Sequence, residues 1–174
     1  MTDQANPYQA PSADVSVPLS GGEDQTGPFS PKGRFGRLSY LAWGLLTSLV
    51  FGFLVFIVAG GAAVFTDPTT MAAAGGPVVI LIQVISIIPA IIFAIRRLHD
   101  FNASGWWAIA MVIPFANLIL ALFLLFKGGD EGTNRFGPAR VTRGWEKVLG
   151  YIAIGFAVLG IVLVIFGGLM GAFA

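Results

Sequence analysis

The chain has 174 residues, of which 56% are hydrophobic and only 11% charged, with a net charge of +1. Soluble domains carry about 25% charged residues, so this shortage of charge excludes a water-soluble globule and makes lipid the solvent. Cysteine is absent and there is a single histidine. Disulfides, thiol chemistry and cysteine metal sites are therefore excluded, and little is left for a zinc centre.

Residues 1–31 place Pro7, Pro11, Pro18, Pro28 and Pro31 among Ser, Gln, Asp and Gly, a composition expected of a disordered tail. The start lacks the basic region and apolar run of a signal peptide, so the tail is expected to be retained in the cytoplasm. Four uncharged stretches follow, at about 38–65, 77–95, 106–126 and 148–173. None alternates as barrel strands do, so the fold class is an all-α integral membrane protein with four apolar helical segments. Residues 139–147 form a basic linker to the last segment, which carries the close-packing spacing Gly167-x-x-x-Gly171.

The positions of the cations set the topology. Lys32, Arg34 and Arg37 precede the first segment, the 66–76 linker holds only Asp67, and Arg96 and Arg97 follow the second. The positive-inside rule then puts the N-terminus in the cytoplasm. If the third segment spans, Lys127, Arg135, Arg140, Arg143 and Lys147 fall outside, and the basic residues show no bias. If it turns back at Ile113-Pro114-Phe115-Ala116-Asn117, all ten lie inside. A spanning helix with a proline kink is tolerable in a membrane, but the charges favour a re-entrant hairpin around Pro114.

The run Arg96-Arg97-Leu98-His99-Asp100 is the densest polar cluster. On a helical continuation Arg96 and Asp100 share a face, His99 flanks it, and Arg97 points elsewhere, where it can snorkel. Three readings stay open. The cations can stabilise a helix end, with Asn102 or Ser104 capping the next helix. Arg96, Arg97 and His99 can form an anion or headgroup site. His99 and Asp100 can form an acid–base pair, which the ~100° between adjacent helical side chains disfavours. The second cluster, Lys127 to Pro138, has neither a phosphate-loop ending nor calcium-ligand spacing. Compact turns are expected there, with Phe136 beneath them. Inside the segments Thr47, Ser48, Gln83 and Ser86 are the notable polar residues, so no catalytic, cofactor or metal site is expected.

Three motifs stand in order: Gly33-Arg34-Phe35-Gly36-Arg37-Leu38-Ser39-Tyr40; the 96–100 run with Ser104-Gly105-Trp106-Trp107; and Gly132-Thr133-Asn134-Arg135-Phe136-Gly137-Pro138. Together they resemble the bacterial inner-membrane family called domain of unknown function 805, over about residues 33–138. The resemblance implies an inner-membrane location and a membrane domain over 32–138, and supplies no activity. Phe101, Asn102, Ala103 and Ala139 depart from its usual residues, and segment 148–173 looks like an addition. It also implies that the motifs act together on one side, as a cytoplasmic cap of Arg34, Arg37, Arg96, Arg97, His99, Asp100, Asn134 and Arg135. Within that cap Arg135 is expected to pair with Asp100. The expected function is a non-enzymatic scaffold, or a module that binds anionic lipid headgroups or a protein partner, with no nucleic acid. The alternative is a small transporter or a component of one, with Gln83 as its handle.

Overall fold

A computed structural model describes residues 24–65 and 68–172. Its elements are α1 (Arg37–Phe65), α2 (Pro68–Asp100), a 3-10 segment (Gly105–Val112), α3 (Ala116–Phe126) and α4 (Gly144–Ala172). The windows Arg37–Gly61, Gly76–Asp100 and Gly144–Gly168 have mean hydropathies of 2.4, 2.9 and 2.8. At 1.5 Å per residue each is ~37 Å long, enough to cross a ~30 Å hydrocarbon layer. Among the described residues no strand forms; the one isolated β-bridge joins Asn134 and Gly137.

α2 is longer than the expected 77–95. It starts at Pro68, where the missing N–H of proline costs nothing in a first helical turn, and it absorbs most of the expected 66–76 linker. Residues 66–67, and with them Asp67, lie outside the described residues. So do residues 1–23 of the expected tail, with Pro7, Pro11 and Pro18.

The third segment does not run from one end of the bundle to the other. α2 ends in a Schellman closure: Ala103 N–H donates to Leu98 O at 3.0 Å and Asn102 N–H to His99 O at 3.1 Å. Asn102 takes the left-handed φ of 60° that this closure requires. Ser104 then caps the 3-10 segment by accepting from Trp106 N–H. The chain reverses at Pro114 and Phe115, and α3 returns. Its end lies beside the end of α2, because Arg97 Nε donates to Leu124 O at 2.8 Å and Asp130 N–H to Asp100 O at 2.7 Å. Pro114 suits a turn at membrane depth, since it has no N–H to leave unpaired. Around it Ile113, Ala116 and Asn117 N–H groups find backbone carbonyls.

A small apolar core fixes the hairpin: Ala94, Leu98 and Phe101 from α2 and its exit pack with Ala108, Leu120 and Leu124 from the two arms. α1 sits between α2 and α4. The α1–α4 approach is close enough that a Cβ on Gly150 would stand 2.9 Å from Leu38 O. Three spans and one hairpin thus leave the starts of α1 and α4, the end of α2 and both hairpin ends together at one polar end.

Candidate functional site: a buried arginine and carboxylate cap

Arg34, Arg96 and Arg97 are wholly buried and Asp100 nearly so. A buried guanidinium is tolerable only when its donors are occupied, and here the chain itself occupies almost all of them. Arg34 reaches Asp100 Oδ1 at 3.1 Å, the Asp130 carbonyl at 2.5 Å and the Gly132 carbonyl at 2.6 Å. Arg97 holds Asp100 Oδ2 at 2.5 Å, and beyond Leu124 O it also donates to the Lys127 carbonyl. The two carboxylate oxygens of Asp100 are therefore shared between two arginines, which use their remaining donors to grip the backbone of the returning loop. Gly129 passes so close that a Cβ would overlap the Asp100 carboxylate.

Asp100 pairs with Arg97 at i−3 and with Arg34 from before α1, while Arg96 turns to Asp24. This arrangement corrects two expectations. Arg97 does not snorkel; it points into the cap. Arg135 does not approach Asp100 as a charge partner: it donates to the Asn102 carbonyl at 2.9 Å and lies over the Phe136 ring at 4.7 Å. The reason is the same in each case. The hairpin carries the loop backbone, with its carbonyls, into the place where a charge partner was expected.

Arg96 faces the other way and takes Asp24 Oδ2 at 2.9 Å and the Gly27 carbonyl at 2.5 Å, with its guanidinium 4.1 Å over Phe35. So Asp24–Pro31, expected to belong to the disordered tail, docks onto the cap instead. Burial raises the Asp24 pKa, but bonds from the Thr26 hydroxyl and from the Arg34 and Thr26 N–H groups, with the Arg96 charge, outweigh it and hold the carboxyl below its ordinary value. Gly33, at φ 84°, is required beside it, since a Cβ there would strike Asp24 and Thr26.

His99 makes no contact with Asp100. It stacks on Phe136 with ring centroids 3.7 Å apart, and its Nδ1 lies 3.3 Å from Gly33 O. Asn134 donates to His99 O at 2.8 Å and accepts from Phe136 N–H at 2.9 Å. Phe136 thus lies under its loop as expected. Of the eight cap candidates, Arg34, Arg96, Arg97, His99, Asp100, Asn134 and Arg135 come together, while Arg37 is exposed at the start of α1. Among the described residues no group of acidic or histidine side chains could hold a metal ion.

Sequence reasoning missed a second centre on Glu146, which is also wholly buried. It accepts from Arg140 at 2.7 Å, Trp43 Nε1 at 2.9 Å, Ser39 Oγ at 2.9 Å and Arg143 N–H at 3.1 Å. The last bond is the returning half of a capping box at the α4 start. The signal was a lone acid at the third helical position, just before a long uncharged run. Trp43 of α1 thus gives its indole N–H to a carboxylate of α4.

Residues 28–138 match the family described as Protein of unknown function (DUF805). The chain belongs to this family. The inner membrane protein YhaH of Escherichia coli (strain K12) is 44% identical over 43 residues, 25% of this chain and 36% of the relative. YhaI of the same strain is 40% identical over 50 residues, 29% of this chain and 42% of the relative. The chain thus matches less than half the length of these relatives. No solved structure matches. With inner-membrane relatives and three helices able to span, this DUF805 member is a multi-pass inner-membrane protein. The Asp100 centre falls within the DUF805 match, whereas Glu146 lies beyond it and Asp24 before it.

Proposed function

We propose that the protein is a non-enzymatic membrane module whose polar end faces the cytoplasm and meets anionic lipid headgroups. In this reading Arg34, Arg96 and Arg97 are structural, and the contact with lipid falls to the exposed cations. One observation carries it. Among the described residues the polar end exposes Lys32, Arg37, Lys127, Arg135, Arg143 and Lys147 against only Asp130 and Glu131. Attraction to an anionic leaflet is worth about 1 kcal/mol per such cation, and the interlocked cap beneath gives them a fixed platform.

The test has two arms. A single cysteine at Glu131→Cys, in a chain with no other, should resist a membrane-impermeant maleimide in intact cells and react after permeabilisation. Labelling from outside overturns the orientation. In nanodiscs of mixed neutral and anionic phospholipid, the lipids motionally restricted by the protein should be enriched in the anionic species. The triple variant Arg37→Gln/Arg143→Gln/Lys147→Gln should lose much of that enrichment, and equal shares around the wild type overturn the lipid reading.

A second reading, a small transporter or a component of one, is favoured by a groove of about 570 Å³ between α1 and α2, along which Thr47, Ser48, Gln83 and Ser86 lie. Solute-driven swelling of proteoliposomes that disappears in Gln83→Leu supports it; swelling indifferent to that change removes it.

A further inference from the structure

The two arms of the hairpin flank an open-sided cavity of about 440 Å³ whose lining includes Leu98, Trp107, Ala110, Ile119 and Phe123; Lys127 is the only charged side chain among the described residues that line it, and Trp107 and Ile119 are well exposed. The Lys127 ammonium stands at the polar end, 4.7 Å over the Phe101 ring and 4.8 Å over Phe123. Its backbone is fixed there by Arg97. Arg135 is anchored on the carbonyl of Asn102, the residue before Ala103, which also lines the cavity.

Length and width narrow the occupant. Eight residues of 3-10 helix at ~2.0 Å each are ~16 Å long, and the eleven residues of α3 are ~16 Å at 1.5 Å each. Both equal about half of a ~30 Å hydrocarbon layer. The cavity therefore runs from the headgroup level to the bilayer midplane and stops. Spread over that depth, its volume gives a cross-section of roughly 27 Å², far below the roughly 80–110 Å² of a helix 10–12 Å across. A single hydrocarbon chain lies within such a groove, whereas a helix from a second copy would only lie across it. An apolar slot one leaflet deep with a cation at its mouth matches an amphiphile whose head is negative.

We propose that the hairpin cavity holds one acyl chain of an anionic phospholipid from the leaflet at the polar end, with the phosphate on Lys127. The inference rests on the reading that this end meets anionic headgroups, and replaces a diffuse attraction by one stoichiometric site.

Native mass spectrometry of the protein released from bilayers of equal phosphatidylglycerol and phosphatidylethanolamine reads it directly. The wild type should retain one phosphatidylglycerol per chain. Lys127→Gln should lower the preference about fivefold, the equivalent of ~1 kcal/mol for one cation, and Lys127→Arg should keep it. Ala110→Trp fills the slot and should abolish the retained lipid whatever its headgroup. Because that variant can misfold, a phosphatidylglycerol with a photoreactive acyl chain provides an independent reading in the wild type. It should crosslink to Ala110 or Ile119. No retained lipid, retention of both lipids equally, retention in a folded Ala110→Trp variant, or crosslinks confined to α1 and α4 each overturn the site. The Arg37, Arg143 and Lys147 triple variant separates the two readings. It should reduce the general anionic enrichment while leaving the single retained lipid in place.

Discussion

Asp100 and Glu146 are both buried carboxylates at the polar end of the bundle, yet they do different work with different partners. Asp100 draws in two arginines, and those arginines spend their other donors on carbonyls of Leu124, Lys127, Asp130 and Gly132. The result clamps the backbone of a hairpin whose buried apolar core is small. Glu146 draws in one arginine and the side chains of Ser39 and Trp43, and so joins α4 to α1, two helices that already pack. One centre closes a loop and the other sets a helix. Buried charge matters most where apolar packing is thinnest.

The largest effect is expected at Asp100. Asp100→Ala leaves two buried guanidiniums without their carboxylate, a change of about 3–5 kcal/mol. Thermal unfolding in detergent should show a large loss, and hydrogen exchange should show residues 127–137 released before α4. If α4 and the loop are released together, the two centres are one unit and the contrast fails. Gly129→Ala attacks the same centre sterically. Forcing a methyl against the Asp100 carboxylate should cost about 1–3 kcal/mol, with the same pattern of exchange. Glu146→Gln comes next. It keeps the shape but removes the charge opposite Arg140, so a loss of about 1–3 kcal/mol is expected. Here exchange should rise at the start of α4 and around Ser39, while residues 127–137 stay protected.

Much of this was legible in the sequence, for reasons that can be named. The spans followed from length and apolarity. The hairpin followed from counting cations, because five basic residues after Phe126 are expensive to place across a membrane, and Pro114 supplied a turn. Ser104 as a cap was readable from local chemistry. The pairing inside the cap was not, because Arg96 and Arg97 are adjacent and helical spacing cannot tell i+3 from i+4 as the better partner for Asp100. What decides is Arg34, sixty-six residues away, together with carbonyls that carry no charge to count. Asp24 was overlooked because its surroundings read as low-complexity. The Asp-x-Thr turn it makes with Thr26 was visible but weak.

Asp24 lies at the margin of the cap, and its pKa supplies a direction. Because the folded pKa lies below the unfolded value of about 4, the ionised carboxylate stabilises docking above that value, and the contribution disappears as pH falls through the folded pKa. A spin label on Gln25→Cys should therefore keep the same mobility from about pH 8 to 5 and become mobile only below about 4. Asp24→Asn should give the mobile signal at neutral pH. Release well above the carboxylate range would point to a group other than Asp24.

Arg135 gives the smallest expected effect, and it decides how far the Asp100 centre extends. It is exposed, touches one carbonyl and one ring, and contributes no charge to Asp100. Arg135→Ala should change stability by no more than about 0.5 kcal/mol, the scatter of ordinary surface substitutions. The exchanged pair Arg135→Asp with Asp100→Arg should be no better than Asp100→Arg alone. A partial rescue in the double variant would mean that Arg135 reaches into the clamp. The centre would then include the exposed loop, and its distinction from the Glu146 centre would rest on position alone.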